Sequence, residues 1–405
     1  MDRVLPVFGL ILMVGIAYAL STNRKAVAWK TVLVGILGQI LFGFVILKTS
    51  WGRWFFDFLK TAVQSILDYS VEGAKFIFGP LADMNEFGFI FGVLVPCTII
   101  FTSSLMAILY HIGLMDKIVR MAAWVMMKTM KTSGAESLAA AANVFAGQTE
   151  APLVVLPYLG KMTRSELMAL MTGGMATVAG GVLAAYVGLG IDAGHLLAAS
   201  VMSAPAALAL AKLMVPETEQ PITSRELGEI SSAQSAENII DAAVMGASDG
   251  LKLSLNVIAM LIAFVALVAM ANGLLSFLGS QVGFTDLSLE LIMGYVFSPI
   301  AFLLGVPWHE CLEVGNLIGK KLVLNEFVAY LDLQKAMGTL SERSVIISTY
   351  ALCGFANFSS IAIQVGGIGS LIPERRKDLA QLGFRSLIGG TLACLMTACI
   401  ASIFI

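Results

Sequence analysis

The strongest constraint on this chain is the recurrence of long stretches that carry no charged residue. Such runs cover residues 4–23, 31–47, 87–110, 167–191, 196–211, 253–285, 345–372 and 386–405. A helix that crosses a bilayer needs about 20 mostly uncharged residues, so the eight runs predict eight membrane crossings in an all-α polytopic protein. Composition agrees: 58% of the 405 residues are hydrophobic and 13% charged, against about a quarter charged in an ordinary soluble domain. The lipid bilayer is therefore the expected surrounding. A formal charge of −2 without a long basic run argues against nucleic acid as a partner. Cys97, Cys311, Cys353, Cys394 and Cys399 are scattered without a CxxC pair, and there are three histidines, so neither a disulfide framework nor a clustered metal site is expected.

Direction follows from the basic residues, which favour the inner side of the membrane. Arg24, Lys25 and Lys30 lie between the first two runs, Lys117, Arg120, Lys128 and Lys131 follow the third, and Arg375, Arg376, Lys377 and Arg385 precede the last. With eight crossings, both termini are expected outside. The first run is read as a retained span rather than a signal peptide, because Asp2-Arg3 is a weak positive start and a second span follows at once. The connector 216–249, with Glu217, Glu219, Glu226, Glu229, Glu237 and Asp241, is expected inside as a solvated linker and an interfacial segment. Segment 54–78 mixes Lys60, Asp68, Glu72 and Lys75 with aromatic and aliphatic residues, which predicts an amphipathic helix at the outer interface.

Two segments are too short or too broken to cross. Residues 134–160 place apolar arms around a polar, proline-containing centre, and residues 291–330 repeat the pattern in longer form, with YVFSPIAFLLGVPW, a polar HECLEVGN and GKKLVLNEFVAY. Both are expected to be re-entrant hairpins. They face opposite ways, and each is followed by two spans. An inverted-topology pair with broken helices in matching positions points to a midplane site and alternating access. The organisation predicted is two spans in 1–48, the outer interfacial helix with span three and an inner amphipathic segment in 51–131, the first hairpin with spans four and five in 134–215, the connector with span six in 216–285, and the second hairpin with spans seven and eight in 290–405.

An acidic side chain at membrane depth is costly unless it meets water, a partner or a ligand. Glu150 and Glu326 both qualify. Glu150 lies in Gly147-Gln148-Thr149-Glu150-Ala151-Pro152, where Gly and Pro can release backbone groups from helical pairing. Gln148 offers an amide donor and acceptor suited to a planar heterocycle edge, and Thr149 a hydroxyl. Glu326 can accept hydrogen bonds from vicinal hydroxyls of a sugar. The alternative is that both carboxylates pair with polar neighbours and hold the hairpin tips together. Asn357 stands near the middle of span seven in a run of otherwise weakly polar residues; Asn143 and Thr177 are comparable in the first half. The glycines around Thr177 either pack closely against a neighbour or open the helix to expose carbonyls. Lys320 and Lys321 could pair with Glu326 or Glu313, or snorkel toward water; Trp308 and Phe355 could wall an apolar pocket or simply pack, and His309 is expected near a hairpin tip, either titrating or solvated. No Walker loop, dinucleotide fingerprint or HExxH is present, and no nucleophile and base can be placed together, so an enzyme is not expected.

Three separated segments, GQTEAP at 147–152, GxKxxxNEFVAY at 319–330 and CGFANFSS at 353–360, make the whole chain resemble the concentrative nucleoside transporter family in a bacterial form. The resemblance implies a homotrimer in the bacterial inner membrane, importing nucleosides such as uridine by symport, with no cofactor beyond a coupling sodium ion. It implies a nucleobase near Gly147, Gln148, Thr149, Glu150, Val178 and Phe355, and a ribose at Glu326, Asn357 and Ser360. Sodium maps to the Asn143 side chain, the Ala146 and Val178 carbonyls and the Thr177 hydroxyl. An elevator-like motion against a scaffold of spans three and six is expected. Proton coupling through Glu150 or Glu326, or a passive facilitator, are the competing expectations.

Overall fold

The computed structural model describes residues 3–223, 236–281, 283–284 and 287–405. Asp2, Glu226, Glu229 and Thr285, which the sequence reading used, lie outside them. All regular structure among the described residues is helical, which pairs the backbone within each segment where bilayer offers it no hydrogen-bonding partner. Among the described residues six helical stretches are long and apolar enough to cross a membrane. The first predicted span is shorter, and the seventh is interrupted.

The chain begins with α1 (Leu5–Ala19) and α2 (Trp29–Lys48), followed by α3 (Ser50–Phe78) and a single turn, α4 (Met84–Phe87). Thr49 caps α3 by accepting from the Gly52 amide. Trp51, Trp54, Phe58, Tyr69 and Phe76 stand exposed along α3, interleaved with its charged residues, the composition of a helix that lies in an interface. Next come α5 (Phe91–His111) and the amphipathic α6 (Leu114–Met130).

The first hairpin opens with α7 (Gly134–Ala142), started by a capping box in which Ser133 and Glu136 exchange side-chain and backbone bonds. The chain leaves helical form at 143–150 and returns as two four-residue helices, α8 (Ala151–Val154) and α9 (Leu156–Leu159). Pro152 and Pro157 stand in their first turns, where a missing N–H costs no intrahelical bond. Span four is split: α10 (Arg164–Ala176) stops, residues 177–179 run extended, and α11 (Gly180–Gly188) resumes. Then α12 (Ala193–Met214) follows.

The helix of span six, α13 (Ile239–Gln281), starts well before the uncharged run, so part of the expected linker is helical. It lies against α5, where Gly246 and Gly250 let the backbones approach: a Cβ on Gly250 would stand 2.7 Å from Ile100 Cα. After it, α14 (Leu289–Leu303) packs on α15 (Cys311–Val323) through Gly294, Gly315 and Gly319. Here the structure corrects the sequence reading. The polar HECLEVGN segment opens in the 304–310 connection, where α14 turns back antiparallel onto α15, but from Cys311 it is helical, and the polar residues Glu313, Asn316 and Lys320 of α15 share one side at helical spacing. A second reversal follows at Leu324-Asn325, after which α16 (Glu326–Ala336) runs back.

Span seven is broken like span four. Its halves, α17 (Glu342–Leu352) and α18 (Phe358–Leu371), flank an irregular segment at 353–357, and α19 (Arg376–Phe404) closes the chain. Nearly all of α10 to α12 and most of α19 is buried, whereas α13 is largely exposed along an apolar surface. Both broken spans thus sit at or beside the centre.

Candidate functional site

The two helix breaks meet. The Phe355 amide donates to the Thr177 carbonyl at 3.3 Å, and Gly354, at φ +129°, lies where a Cβ would be 2.7 Å from both the Ala176 carbonyl oxygen and Cys394 Sγ. Only glycine takes that conformation and that clearance together. Each half supplies a polar helix start here. Asn325 caps α16, its Oδ1 accepting from the Val328 amide at 2.9 Å, and Asn357 caps α18 the same way with Ser360 at 2.9 Å. The cap on α16 sets Glu326 at that helix's first position.

From these caps a line of buried polar side chains runs across the molecule. The Tyr186 hydroxyl of α11 donates to Glu326 Oε1 at 2.9 Å, and Asn357 Nδ2 donates to Glu326 Oε2 at 3.1 Å. Ser360 Oγ accepts from Gln148 Nε2 at 3.0 Å, which ties the first hairpin's irregular tip to α18. Gln148 Oε1 in turn accepts from Gln364 Nε2 at 3.1 Å. Tyr186 packs against Tyr330 and Phe327, with ring centroids 4.4 and 5.3 Å away. Lys321 is buried near this side and donates to the Ala351 carbonyl.

A second cluster lies where the first hairpin leaves its helix. Asn143 Oδ1 is buried without a hydrogen-bond partner, while its Nδ2 donates to the Leu170 carbonyl at 3.4 Å. Among the described residues the carbonyls of Ala146 and Val178 accept no hydrogen bond. The Thr177 hydroxyl donates to Gly173 O at 2.9 Å and keeps its lone pairs. The strands of irregular chain are held together by the Gly180 amide donating to Phe145 O at 3.0 Å. Uncompensated oxygens of this kind, uncharged and hard, suit a small monovalent cation.

Three sequence-family profiles cover the chain almost end to end: the N-terminus of Na+ dependent nucleoside transporters over residues 8–81, a nucleoside recognition region over 91–192, and the transporter C-terminus over 195–402. The chain belongs to the concentrative nucleoside transporter family. An uncharacterized transporter of Bacillus subtilis, YutK, is 48% identical over 98% of both chains. Solute carrier family 28 member 3 of Mus musculus is 45% identical over 98% of this chain, which spans 58% of the mouse protein. Among solved structures, the transporter CNTnw in an inward-facing substrate-bound state superposes with a TM-score of 0.95 at 43% identity, covering 100% of this chain and 98% of that one. Variants of CNTnw solved in outward-facing and intermediate states match as well. The homologues are transporters, and this nucleoside transporter is not an enzyme.

In this concentrative transporter, Gln148, Glu326, Asn357 and Ser360 are joined in the hydrogen-bonded line just described. Thr149 and Glu150 are exposed beside it, Glu150 Oε2 accepting from the Gly147 amide at 3.0 Å. Phe355 is half-buried at the meeting of the breaks, and Val178 is buried. Lys320 departs from expectation: it pairs with Asp332 at 2.5 Å and Glu290 at 3.6 Å, not with Glu326 or Glu313. Trp308 is exposed and edge-on to Phe302, and His309 lies beside Glu310 in the connection where α14 turns back onto α15; neither is in the polar line. The sequence reading missed Tyr186 and Gln364. Gln364 had a usable signal, since Asn357, Ser360 and Gln364 recur at i, i+3 and i+7 on one helix face. Tyr186 stands in an apolar run, where a tyrosine gives no sign of what its hydroxyl meets.

Proposed function

We propose that this transporter imports nucleosides, uridine among them, by sodium symport with alternating access. The carrying observation is the Glu326 carboxylate, held by Tyr186 and Asn357 at the crossing of two broken spans. A carboxylate with spare lone pairs beside an amide matches the vicinal hydroxyls of a ribose. The base then falls toward Gln148, Thr149 and Glu150, walled by Phe355 and Val178.

Sodium sits at Asn143, Ala146, Thr177 and Val178, where the orphaned Oδ1 and the unbonded carbonyls supply oxygen ligands. Binding there orders the 143–150 segment and lowers the entropic cost of placing Gln148 against a base. The proposed frame has eight spans, two oppositely oriented re-entrant hairpins and both termini outside, in a bacterial inner membrane. Three copies associate through α5 and α13, whose long apolar face is otherwise exposed, and the hairpins with the broken spans move as one unit against that scaffold.

Uptake of labelled uridine into proteoliposomes tests the proposal. Accumulation above the external concentration under an inward sodium gradient supports symport. Accumulation driven by a pH gradient and indifferent to sodium moves coupling to a carboxylate, and equilibration without accumulation leaves a facilitator.

A further inference from the structure

We propose that Gln364 is a positioning residue that fixes which way round the Gln148 amide faces the nucleobase, and thereby sets preference among bases. The inference rests on Gln148 being the base-facing residue. Its starting point is a backbone group whose polarity is not in question. The Met171 carbonyl can only accept, so the Gln364 atom 3.0 Å from it is the amide nitrogen. That same nitrogen stands 3.1 Å from Gln148. Two NH2 groups cannot donate to each other, so Gln148 presents its oxygen to Gln364 and its nitrogen to Ser360 Oγ, 3.0 Å away. At the far end a second backbone group acts alike: the Ser360 amide fixes Asn357 Oδ1, which turns Nδ2 to Glu326. Two peptide groups thus settle the orientation of three amide side chains.

The fit around Gln364 is close. It is 1% exposed, and its own Oε1 is buried without a partner. Gly174 makes the arrangement possible, because a Cβ there would lie 2.8 Å from Gln364 Nε2 and 2.9 Å from Gln148 Cβ. Each polar atom of the Gln148 amide still has one free valence, an oxygen lone pair and a nitrogen hydrogen, in a fixed order. Uracil and cytosine present opposite donor and acceptor orders on the edge formed by ring position 3 and the exocyclic group at position 4. A locked amide favours one of them; an amide free to flip serves both.

Isothermal titration of the purified full-length transporter at saturating sodium, with uridine, cytidine and 2′-deoxyuridine, tests this. Wild type is expected to separate uridine from cytidine by about fivefold or more, and Gln364→Leu to bring the two within about twofold. The ratio of uridine to 2′-deoxyuridine, which reads the ribose, is expected to stay unchanged. Gly174→Ala reaches the same amides from the other side and is expected to narrow the base ratio as well, which keeps the test standing should the leucine variant not fold. Equal weakening of uridine and cytidine in both variants overturns the inference and leaves Gln364 as structural support, as does a wild type without base preference. A wild type that binds none of the three ligands overturns the base-binding reading itself.

Discussion

Asn357 Nδ2 donates to Glu326 Oε2 at 3.1 Å, joining the start of α18 to the start of α16. Both residues are buried. The bond places a carboxylate and an amide side by side where two helices have just stopped, and the same Asn357 caps one of them through Oδ1. Local helix chemistry and the polar site are therefore one feature.

The opposite face of Glu326 depends on Tyr186. Tyr186→Phe removes a hydrogen bond to a charged group, worth about 1.5–3 kcal/mol, and is expected to weaken uridine binding about tenfold or more in equilibrium titration. Glu326→Gln is expected to do worse, because it removes the negative charge and turns one of the two acceptor oxygens into an NH2. Wild-type affinity in Tyr186→Phe would show that the hydroxyl has no part in holding the carboxylate.

Gly354 carries the crossing of the two breaks. Gly354→Ala forces a Cβ to within 2.7 Å of the Ala176 carbonyl at a backbone conformation of φ +129°. Strain of this kind costs on the order of 1–3 kcal/mol, so the thermal midpoint in detergent is expected to fall by several degrees. An unchanged midpoint would mean that the crossing relaxes freely.

A buried ion cluster ties the start of α7, the start of α10 and the end of α12 together. Lys212 pairs with Glu136 at 2.6 Å and with Glu217 at 3.0 Å, and donates to Ser165 Oγ at 2.9 Å. Removing one partner of a buried pair costs about 3–5 kcal/mol, because the other charge stays behind. Lys212→Met is expected to show that loss in thermal unfolding, and adding Glu136→Gln to recover much of it. Equal stability of the single and double variants would contradict the account.

Much of this architecture was legible from where charge is missing, because bilayer solvent leaves few alternatives to an apolar helix. Glu326, Asn357 and Gln148 stood out for the same reason, as polar groups in places where they are expensive. What sequence could not convey was which atoms pair across the fold. The polarity of HECLEVGN marks a reversal only at its first residues, between α14 and α15; from Cys311 it is one face of an amphipathic helix, and the second turn, at Leu324-Asn325, is marked only by its capping asparagine. Lys320 found Asp332 and Glu290 through helix packing that no spacing rule specifies. Breaks in α10/α11 and α17/α18 were signalled by glycine and asparagine, but their contact through Thr177 and Phe355 is a tertiary event.

The central claim is that an ion held beside Asn143 prepares the Gln148 tip for a nucleoside. Linkage makes this measurable, since sodium must tighten nucleoside binding by the factor by which nucleoside tightens sodium binding. The direct measurement is the uridine dissociation constant of purified protein at zero and at saturating sodium, in wild type and in Asn143→Ala. The account predicts at least about tenfold tighter binding with sodium in wild type, a coupling of roughly 1.4 kcal/mol, and no dependence on sodium in the variant. Sodium-independent binding in wild type, or full sodium dependence without Asn143, would contradict it.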